Sequence, residues 1–190
     1  MRFVYEYLFI VVWIGFFLYW QVMSADVKAT KRIEPAASRI IRATLFLLAI
    51  LLMAYDRIPV PWLYRQLYAQ GALAFWVGAG ITVAGLGFAV WARRHIGRNW
   101  SRSVTLKEDH ELITSGPYRF VRHPIYTGIL TGVVGSAIAL AQVRGVITVV
   151  TIAILMWLKL RREERFMREH FGEKYDAYVQ RVAALVPFVL

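Results

Sequence analysis

The sequence predicts an all-α, polytopic membrane protein with about five transmembrane helices and a further helix on the C-terminal side. Three observations carry this expectation. Of the 190 residues, 58% are hydrophobic, more than the roughly half expected of soluble domains, and the mean hydropathy is +0.49. The apolar residues are gathered into runs that approach the length of a bilayer span, about 20 helical residues for a hydrocarbon core of about 30 Å. The cations fall between those runs rather than within them. Cysteine is absent, which excludes disulfides, thiolate-held zinc, iron-sulfur clusters and a cysteine nucleophile.

Taken in order, the first run lies near 4–23. Arg2 is offset by Glu6, leaving no net positive n-region, and the apolar part exceeds a signal-peptide h-region, so the sequence predicts a retained helix. The second, near 40–55, is short. Arg39 and Arg42 at its entry extend their apolar stems along it and keep their guanidinium groups at the headgroups. The third lies near 71–92, the fourth near 125–143 and the fifth near 145–160. Only Gln142, Val143 and Arg144 separate the last two, with Gly145 to turn the chain, which predicts a tight helical hairpin. Ala74, Gly78, Thr82, Gly85 and Ala89 share one face of the third run, and Gly128, Gly132, Gly135 and Ala139 share one face of the fourth. Small residues at that spacing let backbones approach closely in lipid, so these stripes read as packing seams. KLRREERFMREHFGEKYDAY, residues 159–178, continues the fifth run into water as a helix, with Gly172 as its terminator.

With five spans, the first connection, the third connection and the tail lie on one side. Of the 23 Lys and Arg, the other side receives only Arg2, Arg57, Arg65 and Arg144. Cytoplasmic connections are the ones enriched in cations. The N-terminus is therefore expected outside the cytoplasm, and the C-terminus, with any site built beside it, inside. The net charge of +11 follows from this asymmetry and from attraction to anionic membrane lipids. Nucleic acid is not an expected partner, because the cations flank spans and no nucleic-acid motif accompanies them.

The third connection, from about Arg93 to His123, is the longest polar one and the natural place for a site. It ends in GPYRFVRHPIYTG, residues 116–128. Gly116 and Pro117 mark a turn, Pro124 suits the first position of a helix because its missing N–H would have had no partner there, and His123 falls at the cap. The N–H groups of Ile125, Tyr126 and Thr127 then face the interface, where a helix N-terminus favours an anion. Arg119 and Arg122 either anchor to headgroups or join this site. Glu163 and Glu164 lie about 5 to 8 Å beyond Leu160 along the helix axis, at the depth of the head of the fourth helix. Two readings stay open for them. They accept hydrogen bonds from a ligand's hydroxyl or ammonium groups, or they pair along the helix, Lys159 with Glu163 and Glu164 with Arg168. The four histidines are dispersed, and His110 with Glu111 has no third partner at ligand spacing, so no metal is expected.

HELITSGPYRFVRHPIYTG, the EE pair after the hairpin, and FGEKYDAYVQRVAALVPFV together resemble the isoprenylcysteine carboxyl methyltransferase family in its compact prokaryotic form. The resemblance runs from about residue 78 to 190 and includes GRNWS, whereas residues 1–70 match only as further membrane helices. It implies one integral membrane domain over 1–190, with N-terminal helices at 1–70 and a methyltransferase core at 71–190. It also implies a cytoplasmic pocket for S-adenosyl-L-methionine and a lipophilic acceptor arriving from the bilayer. By the same resemblance, His110, Glu111, Leu112, Ile113, Tyr118, His123, Pro124, Ile125, Tyr126 and Glu163 are expected to bind the cofactor. Lys159 stands where relatives often carry a substrate-binding arginine, and because lysine lacks the planar fork, Arg162 is expected to share that role. Ser103 stands where eukaryotic members have glutamine.

Methyl transfer to an ionised carboxylate needs no general base, because the nucleophile is already deprotonated at neutral pH, so positioning and desolvation suffice. The absence of a triad is consistent with this. A phospholipid, small amine or thiol is the alternative acceptor, for which His123 or Glu164 would serve as base. A non-catalytic membrane scaffold or channel is the reading from another class. A pyridine-nucleotide reductase ranks lower, since no dinucleotide fingerprint is present.

Overall fold

A computed structural model of the chain describes residues 2–23, 36–97 and 112–187. Apolar runs fold as helices because lipid offers the backbone no other hydrogen-bond partner. The helices are α1 (Arg2–Met23), α2 (Ala36–Ala54), α3 (Ala72–Ile96), α4 (Pro124–Leu140), α5 (Val143–Phe171) and α6 (Glu173–Val179), with short 3-10 turns at Pro61–Tyr64 and Gly116–Arg119. Among the described residues there is no strand, only an isolated bridge between Gln66 and Gln142. The all-α expectation is borne out. α3 and α5 are long and apolar enough to cross a membrane, while α1, α2 and α4 supply the shorter apolar stretches Tyr7–Met23, Ile40–Ala54 and Pro124–Leu140. Ile10, Val11, Ile14 and Leu18 on α1, and Leu47, Leu48 and Leu51 on α2, leave apolar side chains exposed.

α3 and α4 form the tightest contact, along the two small-residue stripes. A Cβ added at Gly85 would lie 2.6 Å from the Gly128 carbonyl, and one at Gly135 would lie 2.5 Å from the Gly78 carbonyl. Only glycine permits such an approach. At the centre of the seam Thr82 Oγ1 lies 2.9 Å from the Gly78 carbonyl, 3.1 Å from that of Gly132 and 3.3 Å from Ser136 Oγ. Trp13 Nε1 donates to Ser136 Oγ at 3.0 Å and ties α1 to the pair. A second core joins α2, α4 and α5 through Ala49, Val133, Ile152 and Met156, with Trp13, Phe46 and Tyr126 packed against it. There Thr148 Oγ1 donates to the Ala49 carbonyl at 3.0 Å.

Several boundaries differ from expectation. α2 begins at Ala36, one turn earlier than the apolar run, because its polar first turn is held from α5 by a hydrogen bond from Arg162 to Ser38. The α4–α5 reversal is made by Ala141, not Gly145. Ala141 adopts a left-handed conformation with φ 56°, donates to the Ala137 carbonyl and accepts from Leu67 N–H. Gly145 lies inside α5, where its hydrogen side chain lets the helix pass Ala137. Arg93 is not a loop cation either. It is buried within α3 and donates to the carbonyls of Gly97 and Met23, fixing the end of α1 beside the end of α3. Gly172, with φ 53°, ends α5 as expected.

Candidate functional site

The segment that enters α4 is held on three sides. Gly116, with φ 58°, begins a 3-10 turn directly against His95, and a Cβ there would fall 2.6 Å from the imidazole. His95 Nε2 lies 2.9 Å from Ser115 Oγ, and its ring stacks on that of Tyr118. Beyond the turn, the N–H groups of Arg122 and His123 donate to the carbonyls of Ala183 and Ala184 at 2.8 and 3.0 Å, and Thr127 Oγ1 donates to the Leu185 carbonyl at 2.6 Å. The C-terminal segment thus lies along the approach to α4. Tyr178 on α6 adds a hydrogen bond to the Tyr118 carbonyl at 2.5 Å.

His123 sits at the N-cap of α4 and Pro124 opens the helix, as expected. Thr127 N–H already donates to the His123 carbonyl at 3.0 Å. This corrects the expectation that it faces the interface, since the fourth amide of a helix is the first to find an intrahelical partner.

The two glutamates of α5 are used differently. Three donors converge on Oε1 of Glu164: Arg122 Nε at 2.9 Å, Arg122 Nη2 at 2.8 Å and His123 Nε2 at 3.3 Å. Burial by itself would raise the Glu164 carboxyl. The hydrogen bond and charge of His123, then those of Arg122, override burial and bring it down to about 2. An ionised carboxylate only accepts, so His123 Nε2 is the donor in this pair. Arg122 Nη1 also donates to the carbonyls of Val179 and Val182. Of the two readings left open for Glu164, the pairing with Arg168 gives way to these contacts, and Arg168 meets Asp176 at 3.2 Å.

Glu163 faces a different set. Tyr126 Oη donates to its Oε1 at 2.6 Å, Lys159 Nζ lies 3.6 Å from the same oxygen, and His123 Nδ1 lies 3.7 Å from Oε2. The rings of His123 and Tyr126 are parallel, with centroids 5.5 Å apart, and Lys159 Nζ stands 5.0 Å over the Tyr126 ring. The intrahelical pairing of Lys159 with Glu163 is therefore present, together with cross-helix contacts it did not anticipate.

Of the residues expected to form the site, His123, Tyr126, Lys159 and Glu163 come together. Pro124 and Ile125 form the buried first turn of α4. Tyr118 and Ile125 are buried in a cluster with Ala92, against which Ile113 packs. Burial raises the Tyr118 phenol strongly, aided by Tyr178 and Glu163, so it stays neutral. Leu112 turns elsewhere, to a cavity of about 580 Å³ that it lines with Thr114, Phe171, Lys174, Ala177, Tyr178 and Arg181. Arg162 donates to Ser38 on α2. His110, Glu111 and Ser103 lie outside the described residues. The Arg122–Glu164 pair and the returning C-terminal segment were not foreseen. Arg122 was open to a headgroup or a site role, but its partner lies 42 residues away and no local signal names it.

Residues 73–174 match the phospholipid methyltransferase family. The chain belongs to that family. It is 33% identical over 99 residues to protein-S-isoprenylcysteine O-methyltransferase B of Arabidopsis thaliana, covering 49% of each chain. It is also 29% identical over 145 residues to a cobalt-zinc-cadmium resistance protein of Cupriavidus metallidurans, covering 75% of this chain and 59% of the other. Among solved structures it is similar to the eukaryotic intramembrane Ras methyltransferase, isoprenylcysteine carboxyl methyltransferase, at 25% identity and a TM-score of 0.53, covering 83% of this chain and 55% of that one. The chain spans about half the length of the plant relatives it matches. The resemblance carried by the RHPIYTG, EE and FGEKYDAY motifs is thus borne out, and family and apolar helices together make this an integral membrane protein.

Proposed function

We propose that the protein is a membrane methyltransferase that uses S-adenosyl-L-methionine to methylate a lipophilic acceptor, by carboxyl O-methylation of an isoprenylcysteine-like substrate. The observation that carries this reading is the meeting of His123 and Tyr126, at the head of α4, with Lys159 and Glu163, at the base of α5. The donor set suits the cofactor. Glu163 Oε2 is farther than hydrogen-bond distance from His123 and can accept from ribose hydroxyls or pair with an ammonium group. In this reading Tyr118, His123, Pro124, Ile125, Tyr126 and Glu163, with Leu112, Ile113, His110 and Glu111, hold the cofactor, and Lys159 faces the acceptor.

When bound, S-adenosyl-L-methionine would supply an electrophilic methyl group on its sulfonium, which an acceptor oxygen could take with the thioether as leaving group. Tyr126 orients Glu163 by its hydrogen bond, and the α3–α4 seam holds His123 at a fixed height. Arg122 and His123 keep Glu164 ionised, which makes it a poor proton acceptor at neutral pH. Glu164 therefore anchors the site and no base is required for a carboxylate. The five long helices are read as five spans, with the N-terminus outside the cytoplasm and the site and C-terminus inside.

Calorimetry on detergent-solubilised protein tests the reading. S-adenosylhomocysteine should bind, and Glu163→Ala and His123→Ala should each weaken it by about tenfold or more, the equivalent of one lost charge-assisted contact. Unchanged binding in both variants removes the site assignment. Membranes supplied with a radiolabelled methyl donor should label a lipophilic carboxylate; label on a phospholipid amine would replace the acceptor and leave the cofactor site standing.

A further inference from the structure

His95 has no part in the proposed chemistry, yet three contacts converge on its imidazole. Nε2 lies 2.9 Å from Ser115 Oγ. The ring stacks on that of Tyr118, with centroids 6.4 Å apart and planes inclined by 28°. Gly116 approaches so closely that a Cβ there would meet Cε1 at 2.6 Å and both ring nitrogens at 2.8 Å. One side chain of α3 thus meets three residues of the segment that leads into α4.

His95 projects from the last turn of α3, and that end is firmly held. α3 is pressed against α4 along the glycine seam, Arg93 donates to the Gly97 carbonyl at 2.8 Å, and Gly97 N–H donates back to the Arg93 carbonyl. A group mounted on a rigid helix fixes geometry more closely than one on a loop. Opposite it, Leu112 and Thr114 line the cavity of about 580 Å³, while Ile113 between them packs against the cluster of Ala92, Tyr118 and Ile125. Alternation of this kind belongs to an extended segment, and Ser115 is where it ends. A hook at Ser115 and a stack at Tyr118 therefore set which residues reach the cavity and which reach the core. We infer that His95 is a positioning residue, which registers residues 112–118 against the end of α3 and so places Leu112, Ile113 and Tyr118 for the ligand. That the ligand is S-adenosyl-L-methionine rests on the methyl-transfer reading; the registration of the segment does not.

The test uses detergent-solubilised full-length protein, with S-adenosylhomocysteine titrated by calorimetry and amide hydrogen exchange followed without ligand. His95→Ala should weaken S-adenosylhomocysteine by about tenfold, the combined size of one hydrogen bond and one ring contact. Because His95 is exposed, the melting temperature should move little. His95→Gln, whose terminal amide can meet Ser115 Oγ as donor or as acceptor, should recover half or more of the loss. Ser115→Ala removes the other end of the hydrogen bond and should weaken binding about threefold, but less than that when added to His95→Ala, since the two share one contact. In His95→Ala the amides of Tyr118, Phe120 and Val121, which donate within the turn, should exchange faster, and those in the middle of α4 should not change. Wild-type affinity in His95→Ala overturns the inference, as does a His95→Gln no better than His95→Ala, or full additivity of the two alanine changes. If His95→Ala does not fold, Ser115→Ala decides: weakened binding supports the inference and unchanged binding overturns it. If the wild type itself binds no S-adenosylhomocysteine, the methyl-transfer reading fails and exchange decides. Faster exchange confined to the turn then keeps His95 as the positioning residue, and unchanged exchange removes it.

Discussion

Arg144 and Arg122 are both nearly buried arginines beside a helix start, at opposite ends of the α4–α5 hairpin. Among the described residues, the groups that Arg144 touches directly are neutral. It donates to Gln142 Oε1 at 2.7 Å and to the Tyr55 carbonyl at 2.6 Å, and it stacks over the Tyr64 ring at 4.8 Å. Around it Leu67 N–H donates to the Ala141 carbonyl, and Val143 N–H donates to that of Arg65. It clasps the α2–α3 connection to the hairpin. Arg122 meets a carboxylate that a histidine also contacts, and next to that carboxylate stands a second one with a different set of neighbours. The difference teaches where chemistry belongs in this bundle: one end spends its polar groups on closure, the other gathers an ionised cluster that closes the chain and still presents Glu163.

Breaking the charged end should have the largest effect. Arg122→Ala removes two of the three donors on buried Glu164 and should cost about 3–5 kcal/mol of stability, read as a drop in detergent melting temperature; Arg144→Ala should cost less, about 1.5–3 kcal/mol, since it removes hydrogen bonds to neutral groups. If the two losses are equal, the distinction between the ends is wrong. Between them falls the seam that holds both ends in register. Gly85→Ala forces a methyl into the Gly128 carbonyl and should cost about 1–3 kcal/mol, with weaker cofactor binding as a second readout because the head of α4 must move.

The pH dependence sharpens the same contrast. Glu164 is depressed in the folded protein, so its contribution is fully present above the ordinary carboxyl value of 4.5 and is lost as pH falls toward about 2. Melting temperature should therefore decline across that interval, and Glu164→Gln should flatten the decline, whereas Arg144→Ala should leave its shape unchanged. The smallest effect belongs to Lys159→Ala. Its pair with Glu163 follows the i to i+4 rule and is partly exposed, so stability should change by about 0.5 kcal/mol or less. A larger change would mean that Lys159 braces the fold and is not held for a ligand.

The helices were legible because lipid-length apolar runs and period-four glycines are local signals. The positions of Pro124, His123 and Gly172 were legible for the same reason, being properties of a few adjacent residues. The Ala141 turn was not. Glycine at 145 is the stronger local cue, and the left-handed alanine is stabilised by a carbonyl contact with Leu67 far away in sequence. For Glu164 the sequence offered Arg168 as one of two open readings because a helix offers an intrahelical partner to any glutamate, while Arg122 becomes available only after the hairpin has formed. Arg162 looked interchangeable with Lys159 for a similar reason, until the position of α2 assigned it to Ser38.

The carbonyls of Ala183, Ala184 and Leu185 hold Arg122, His123 and Thr127. On a ribosome, the head of α4 is made some sixty residues before the chain that braces it. Until that late stretch emerges, His123 lacks this brace, and the nascent protein carries its apolar helices with the head of α4 unsupported. Fusing a bulky tag close behind Leu185 would act on the same step, disturbing ligand capture while leaving insertion intact.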